Sequence, residues 1–196
     1  MYEYIQGKIS SLTATQAVID CGGVGYLLEI SITTYDKIQP LRDANEPARL
    51  LVHEVVREDA YTLYGFADEG ERSLFRLLIG VSGVGANTAR LMLSTLTAVE
   101  LANAIASQDE VAIKRIKGIG AKTAQRIVLE LHDKVKVLGA VASGNASAGP
   151  TSTSKEEALA AMTMLGFAKA AVEKVLATLD NRLTTEELIK EALKKM

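Results

Sequence analysis

Gly83-Val84-Gly85-Ala86-Asn87-Thr88-Ala89 recurs thirty-five residues later as Gly118-Ile119-Gly120-Ala121-Lys122-Thr123-Ala124, identical at five of seven positions. The apolar residue two places before each copy also matches, Val81 with Ile116. Each copy lies between two stretches of helical period, so the pattern predicts a helix, a tight glycine turn and a second helix, twice. Glycine permits backbone angles that other residues resist and lets a ligand approach the main chain closely. The second helix of each pair starts with unpaired N–H groups and the positive end of its dipole. A phosphate oxygen fits there without touching a base. Two such turns at a fixed separation can grip both strands of a duplex through the backbone alone, with no sequence preference. The candidate contacts are Gly83, Gly85, Asn87 and Thr88 in the first copy, and Lys117, Gly118, Gly120, Lys122, Thr123 and Arg126 in the second.

Three rival readings compete with this one. A plain turn between packed helices explains a single glycine pair, but two near-identical copies point to a shared ligand. A nucleotide-binding P-loop needs Gly directly before the Lys, where Ala121 stands, and a strand before the loop; residues 111–117 read as helix, so it is rejected. A duplex-binding repair enzyme of the glycosylase or nuclease kind, built on the same helix-hairpin-helix element, is the alternative from a different class. Such enzymes need a nucleophile or base beside the second hairpin, and no acid lies between Val111 and Ile127.

Charge distribution bears on the same point. The formal net charge is −2, and the first 66 residues hold five Lys/Arg against nine Asp/Glu. Residues 67–138 reverse this, with ten against eight, and Lys114, Arg115, Lys117, Lys122 and Arg126 fall in the acid-free stretch 111–127. A basic surface confined to one face of an acidic chain suits phosphate binding, although a solvated helix face has the same composition. Apolar residues make up 48% of the 196, ordinary for a folded protein. The start lacks the basic and apolar regions of a signal peptide, and no apolar run approaches the roughly 18 residues of a membrane span. One cysteine and two histidines leave a structural zinc site short of ligands. The lone Cys21 fits a reducing cytoplasm, and no metal or cofactor is expected.

Before the repeat, residues 1–66 read as strands. Residues 2–9, 16–21, 26–32, 49–57 and 60–66 alternate or run apolar, and Pro40 and Pro47 sit between strands. Five short strands with glycine turns predict a small closed barrel. Helical period follows from Glu69, with Leu74, Leu77, Leu78, Leu91, Leu93 and Leu96 on an apolar face. Residues 139–153 are rich in Gly, Ala, Ser and Thr and carry no charge, so they read as a flexible linker. Beyond it, capping patterns at Ser154–Glu157 and Thr184–Glu187, with a stop at Gly166, predict three helices. Their apolar face (Leu159, Met162, Leu165, Phe167, Val172, Val175, Leu176) is expected to be core, with Met164 and Phe167 the exposed remainder. His53 is expected to be a packed strand residue and Cys21 a small core residue.

Taken together, these segments resemble the RuvA family of bacterial Holliday-junction proteins along essentially the whole chain. The resemblance is carried by Gly22-Gly23-Val24-Gly25-Tyr26, Val55-Val56-Arg57-Glu58-Asp59-Ala60, Leu63-Tyr64-Gly65-Phe66, both glycine hairpins and Leu165-Gly166-Phe167. It implies a mixed all-β plus all-α protein: an oligonucleotide-binding (OB-fold) barrel at 1–66, a tandem helix-hairpin-helix domain at 67–139, a flexible linker at 140–153 and a three-helix partner-binding domain at 154–196. It also implies a non-catalytic, DNA-recognising subunit of a branch-migration complex in recombination and repair. That subunit is a homotetramer that holds the four arms of a junction open. Its partners are a RuvB-type hexameric ATPase, met through Met164, Leu165, Gly166 and Phe167, and a RuvC-type junction endonuclease. Two positions depart from the family pattern: Asn87 and Ala121 stand where lysine is often found, so the two hairpins are expected to contribute unequally. Glu58 and Asp59, at the tip of a predicted hairpin, are expected to form an acidic pin that repels continuous duplex from the junction centre.

Overall fold

The computed structural model describes residues 1–142, 154–180 and 183–195. They divide into two compact units, Met1–Gly144 and Asn145–Met196. In the first, alternating apolar residues build the strands β1 (Tyr4–Thr13), β2 (Gln16–Asp20), β3 (Gly25–Ile30), β4 (Pro47–Val56) and β5 (Tyr61–Phe66). These close into a barrel in the order β1-β2-β3-β5-β4. β4 returns to pair with β1, Tyr4 opposite Leu51, and β3 and β5 form the parallel pair. The strand period of two turns Ile5, Ile9, Ala17, Ile19, Leu28, Ile30, Leu50 and Val52 inward, all buried. This is the OB-fold barrel.

One segment of the barrel departs from the sequence reading. Between β3 and β4 lies a helix, α1 (Ile32–Asp43), and Pro40 sits inside it rather than in a loop. Only Thr34 and Ile38 of α1 are buried, too few to leave an apolar stripe. Its start is set by Ser31, whose hydroxyl accepts from the Thr34 N–H at 2.9 Å. Pro47 opens β4, where a missing donor is tolerated. Cys21 is only partly buried, and its Sγ lies 3.2 Å from the Gln6 carbonyl.

Five helices follow: α2 (Glu69–Ile79), α3 (Ala86–Thr95), α4 (Ala98–Ala106), α5 (Glu110–Lys114) and α6 (Ala121–Ala142). Leu74, Phe75, Leu78, Met92, Leu93, Leu101, Ile105 and Ile127 form their core, which is continuous with the barrel through Tyr64 and Phe66. The Phe75 ring lies 5.0 Å from Tyr64 and 4.9 Å from Phe66, centroid to centroid, and His53 packs on its edge at 5.5 Å. Leu91, expected on the apolar face, is 40% exposed.

Buried polar residues join the barrel to these helices. The Glu71 carboxylate accepts from the hydroxyls of Ser31 and Thr34, the latter at 2.8 Å. Arg72, 4% exposed, pairs with Glu3 and Glu69 and donates to the Glu3 carbonyl at 2.9 Å. Burial pushes the Glu71 carboxyl above its ordinary pKa, against the lowering effect of its two hydroxyl donors.

The second unit holds α7 (Ser154–Met164), α8 (Lys169–Ala177) and α9 (Thr185–Lys195) around Ala158, Met162, Val172, Leu176, Leu188 and Ala192. Gly166, at φ +96°, ends α7. The Phe167 N–H reaches the Met162 carbonyl at 3.1 Å and the Gly166 N–H reaches that of Thr163 at 3.0 Å, the paired bonds of a Schellman stop. That stop folds Phe167 back onto the core and leaves Leu165 65% exposed, so Leu165 drops out of the expected core face and Phe167 out of the expected exposed remainder. The Met164 side chain lies outside the described residues. α6 runs three residues into the stretch expected as linker; from 143 to 153 that stretch lies outside the description. No helix among the described residues is long and apolar enough to cross a membrane.

Candidate nucleic-acid interface

The repeat folds into two hairpins of matching geometry. In the first, the Val84 N–H bonds to the Val81 carbonyl at 3.0 Å; in the second, Ile119 bonds to Ile116 at 3.1 Å. All four side chains are buried, and they anchor each turn to the core. Gly83 and Gly118 take φ of +91° and +89°, the left-handed region that glycine alone enters freely. Helix bonds then restart identically, Ala89 to Gly85 and Ala124 to Gly120, both 2.9 Å.

Gly85 and Gly120 differ in kind from Gly83 and Gly118. Neither has positive φ, and a Cβ built on either meets nothing within 4 Å. Nothing inside the chain requires glycine there, and both positions leave the backbone open to close approach from outside. Gly85 caps α3 without a side-chain hydrogen bond, so the cap supplies no acceptor to the first N–H groups of that helix, and Gly120 brings no side chain to the start of α6. By contrast, α4 is closed by Thr97 and Glu100 in a capping box. Both hairpin helices present the open N-terminus that an anion fills.

Around the turns, the expected residues come together unequally. Arg126 of α6 donates to the Ser82 carbonyl at 3.2 Å, so it braces one hairpin against the other. Lys114, Arg115, Lys117 and Lys122 are exposed and make no ion pair among the described residues. Thr88 and Thr123 are half-buried in equivalent positions. Asn87 does not project freely: its Oδ1 accepts from the Tyr64 hydroxyl at 3.0 Å, which fastens the first hairpin to β5. Arg90, one turn on, is committed to the Glu29 carboxylate and the Thr15 carbonyl. The first hairpin is thus held by the barrel and carries little side-chain charge; the second carries the cations.

Space also corrects an argument made along the chain. Lys122 and Arg126 share a cavity of about 570 Å³ with Gln108, Gln125, Glu110 and Glu130. Carboxylates therefore do stand near the second hairpin, from just outside the acid-free stretch. Glu110 and Glu130 are exposed, and Glu130 lies 3.8 Å from Arg126.

Glu58 and Asp59 occupy the exposed tip between β4 and β5, which is closed by the Arg57 N–H on the Ala60 carbonyl at 2.8 Å. Neither carboxylate has an ion-pair partner among the described residues. Arg57, not singled out in the sequence, lies near enough to the Tyr64 hydroxyl to oppose the rise in its pKa that burial causes. The signal for it was a cation directly before two acids.

Comparison with known proteins assigns each segment. Residues 1–65 match the RuvA N terminal domain, 75–133 a SAM-like helix-hairpin-helix tandem, and 154–196 the RuvA C-terminal domain. Similar proteins along the full length of both chains include the Holliday junction branch migration complex subunit RuvA of Bacteroides thetaiotaomicron, 48% identical. The proteins of that name from Christiangramia forsetii and Porphyromonas gingivalis are 46% and 41% identical, again over the whole of both chains.

Proposed function

The chain belongs to the RuvA family, and on that premise we propose that it binds four-way (Holliday) DNA junctions by their shape, as the DNA-recognition subunit of an ATP-driven branch-migration complex. The observation that carries this reading is the pair of equivalent hairpins with glycines that nothing inside the chain explains. Each offers N–H groups and a helix N-terminus to one phosphate, so the tandem holds duplex without reading bases. Lys117 and Lys122 add charge at the second hairpin. At the first, Asn87 is a positioning residue held by Tyr64, and phosphate is left to the amides and Thr88. Arg126 sets the spacing of the two turns.

Shape selection needs a second element, and the acidic tip supplies it. Glu58 and Asp59 repel a continuous duplex and tolerate the centre of a junction, where the strands part. Four copies bring the tips together, so the working form is a homotetramer with one junction arm per subunit pair of hairpins. The 154–196 unit carries the contact to a RuvB-type hexameric ATPase, with exposed Leu165 beside the Gly166 stop as its apolar point, and the assembly works with a RuvC-type endonuclease in the cytoplasm. The division into a 1–66 barrel, a 67–139 hairpin domain, a linker and a partner-binding unit follows these tasks. The chain itself contributes no catalysis.

Gel shifts of the full chain on a four-way junction and on linear duplex of equal length test the reading. The junction should bind markedly more tightly at physiological salt; equal affinity overturns it. The purified chain alone should neither hydrolyse ATP nor cut either DNA. Cleavage that is lost in Glu110→Gln or Glu130→Gln would favour the repair-enzyme alternative.

A further inference from the structure

The β4–β5 hairpin carries more than its acids. Val56 and Tyr61 are directly paired across it, and they are 56% and 76% exposed. Strand alternation puts Val56 on the same side of β4 as Leu50 and Val52, which are fully buried inside the barrel. On that face Glu54 follows Val52 and lies 4.0 Å from the Met1 amino group, so Val56 and Tyr61 stand beyond the end of the barrel core as a separate exposed apolar pair. Tyr61 has no ring partner among the described residues, whereas Tyr2, Tyr4 and Tyr64 each meet a ring or a guanidinium. Exposed apolar side chains at a protruding tip cost solubility, and Glu58 and Asp59 alone would suffice for a charged turn.

The neighbours restrict what can lie on this ring. Two unpaired carboxylates stand two and three residues away, so a phosphate chain is repelled from the tip. A paired base hides its faces in the duplex stack. What remains is a flat, uncharged base released from its partner, whose phosphates trail away from the acids. We propose that the Tyr61 ring, flanked by Val56, is a stacking surface for an unpaired nucleobase at the point where strands exchange. This rests on the junction-binding reading and adds the chemical species the hairpin holds: the tip turns phosphates away and the ring keeps the base that has lost its partner. A separated base so held does not re-pair at once with its old strand.

The test titrates the full chain, by fluorescence anisotropy, with a fully paired four-way junction and with one carrying a single unpaired adenine at the crossover. The parent should prefer the second by about five-fold or more, the lower end of what one base–aromatic stack supplies. Tyr61→Phe should keep that preference. Tyr61→Leu and Tyr61→Ala should lose it while binding the fully paired junction much as the parent does. A Leu variant that discriminates like Phe, an Ala variant that discriminates like the parent, or a parent without preference overturns the proposal. So does a change in assembly mass of Tyr61→Ala by light scattering, which would make this face a contact between copies. If the parent binds neither junction better than linear duplex, the junction reading itself has failed.

Discussion

At the residue scale, glycines that look alike in the sequence have different reasons to exist. Gly118 stands at φ +89°, so Gly118→Val forces a β-branched side chain into the left-handed region and should cost about 2–3 kcal/mol of stability. Gly120 has neither positive φ nor a neighbour within reach of a Cβ, so Gly120→Val should cost under about 1 kcal/mol. Its junction affinity should nevertheless fall at least as far, because the methyls occupy the place of the phosphate. Thermal unfolding beside gel shifts separates the two effects, and parental affinity in a folded Gly120→Val would remove this hairpin from the interface. Glu58 and Asp59 make the opposite kind of contribution. Neutralising both (Glu58→Gln with Asp59→Asn) should raise affinity for linear duplex more than for junctions. The change should fade with added salt, since screening limits exposed charges to about 8 Å at physiological ionic strength. Unchanged discrimination at low salt would leave the pair a mere solvated turn.

At the scale of elements, what matters is how helices are fastened to one another and to the barrel. Glu71 joins the start of α2 to the start of α1 through Ser31 and Thr34. Burial raises its carboxyl above the ordinary 4.5, so the folded state binds that proton more tightly than the unfolded chain does. The stability linked to it is full below the unfolded value and is lost as pH rises through the folded one. Glu71→Gln, neutral at every pH, escapes that loss. The parent should therefore lose ground to the variant in melting temperature as pH is raised from about 4; a gap that does not move with pH refutes the assignment. Between the hairpins, Arg126 and Lys122 divide two tasks. Lys122→Ala should lower the slope of log affinity against log salt by about 0.9, one phosphate's worth, without altering stability. Arg126→Ala loses the bond to the Ser82 carbonyl, so it should weaken binding by letting the turns drift. Equal salt slopes and equal affinities in the two variants would mean that Arg126 braces nothing.

At the scale of the whole molecule, two units with separate cores are carried on one chain. Proteolysis between Gly149 and Ser154 should therefore leave residues 1–139 folded and able to bind junctions as the full chain does, checked by circular dichroism and gel shift. Loss of binding would make the 154–196 unit part of the DNA site. The architecture was legible in the sequence because strand period, helix period and capping patterns are local signals. The hairpin repeat was legible because residues seven to a motif and thirty-five apart can be compared by eye. Helix α1 was not legible, since Pro40 and only two buried residues hide it, and its start depends on a contact with Glu71 that lies 40 residues away in the chain. Leu165 stands out from the core and Phe167 packs on it because a helix stop aims the residues around it, and hydropathy cannot tell which of two apolar side chains turns inward. Composition and spacing thus determined which elements form and where an anion could meet open N–H groups. Only the tertiary structure decided that Asn87 is tied to Tyr64, that Arg126 bridges the turns and that Glu110 stands beside Lys122. Those are contacts between residues distant in sequence, set by how the helices pack, and no local pattern encodes them.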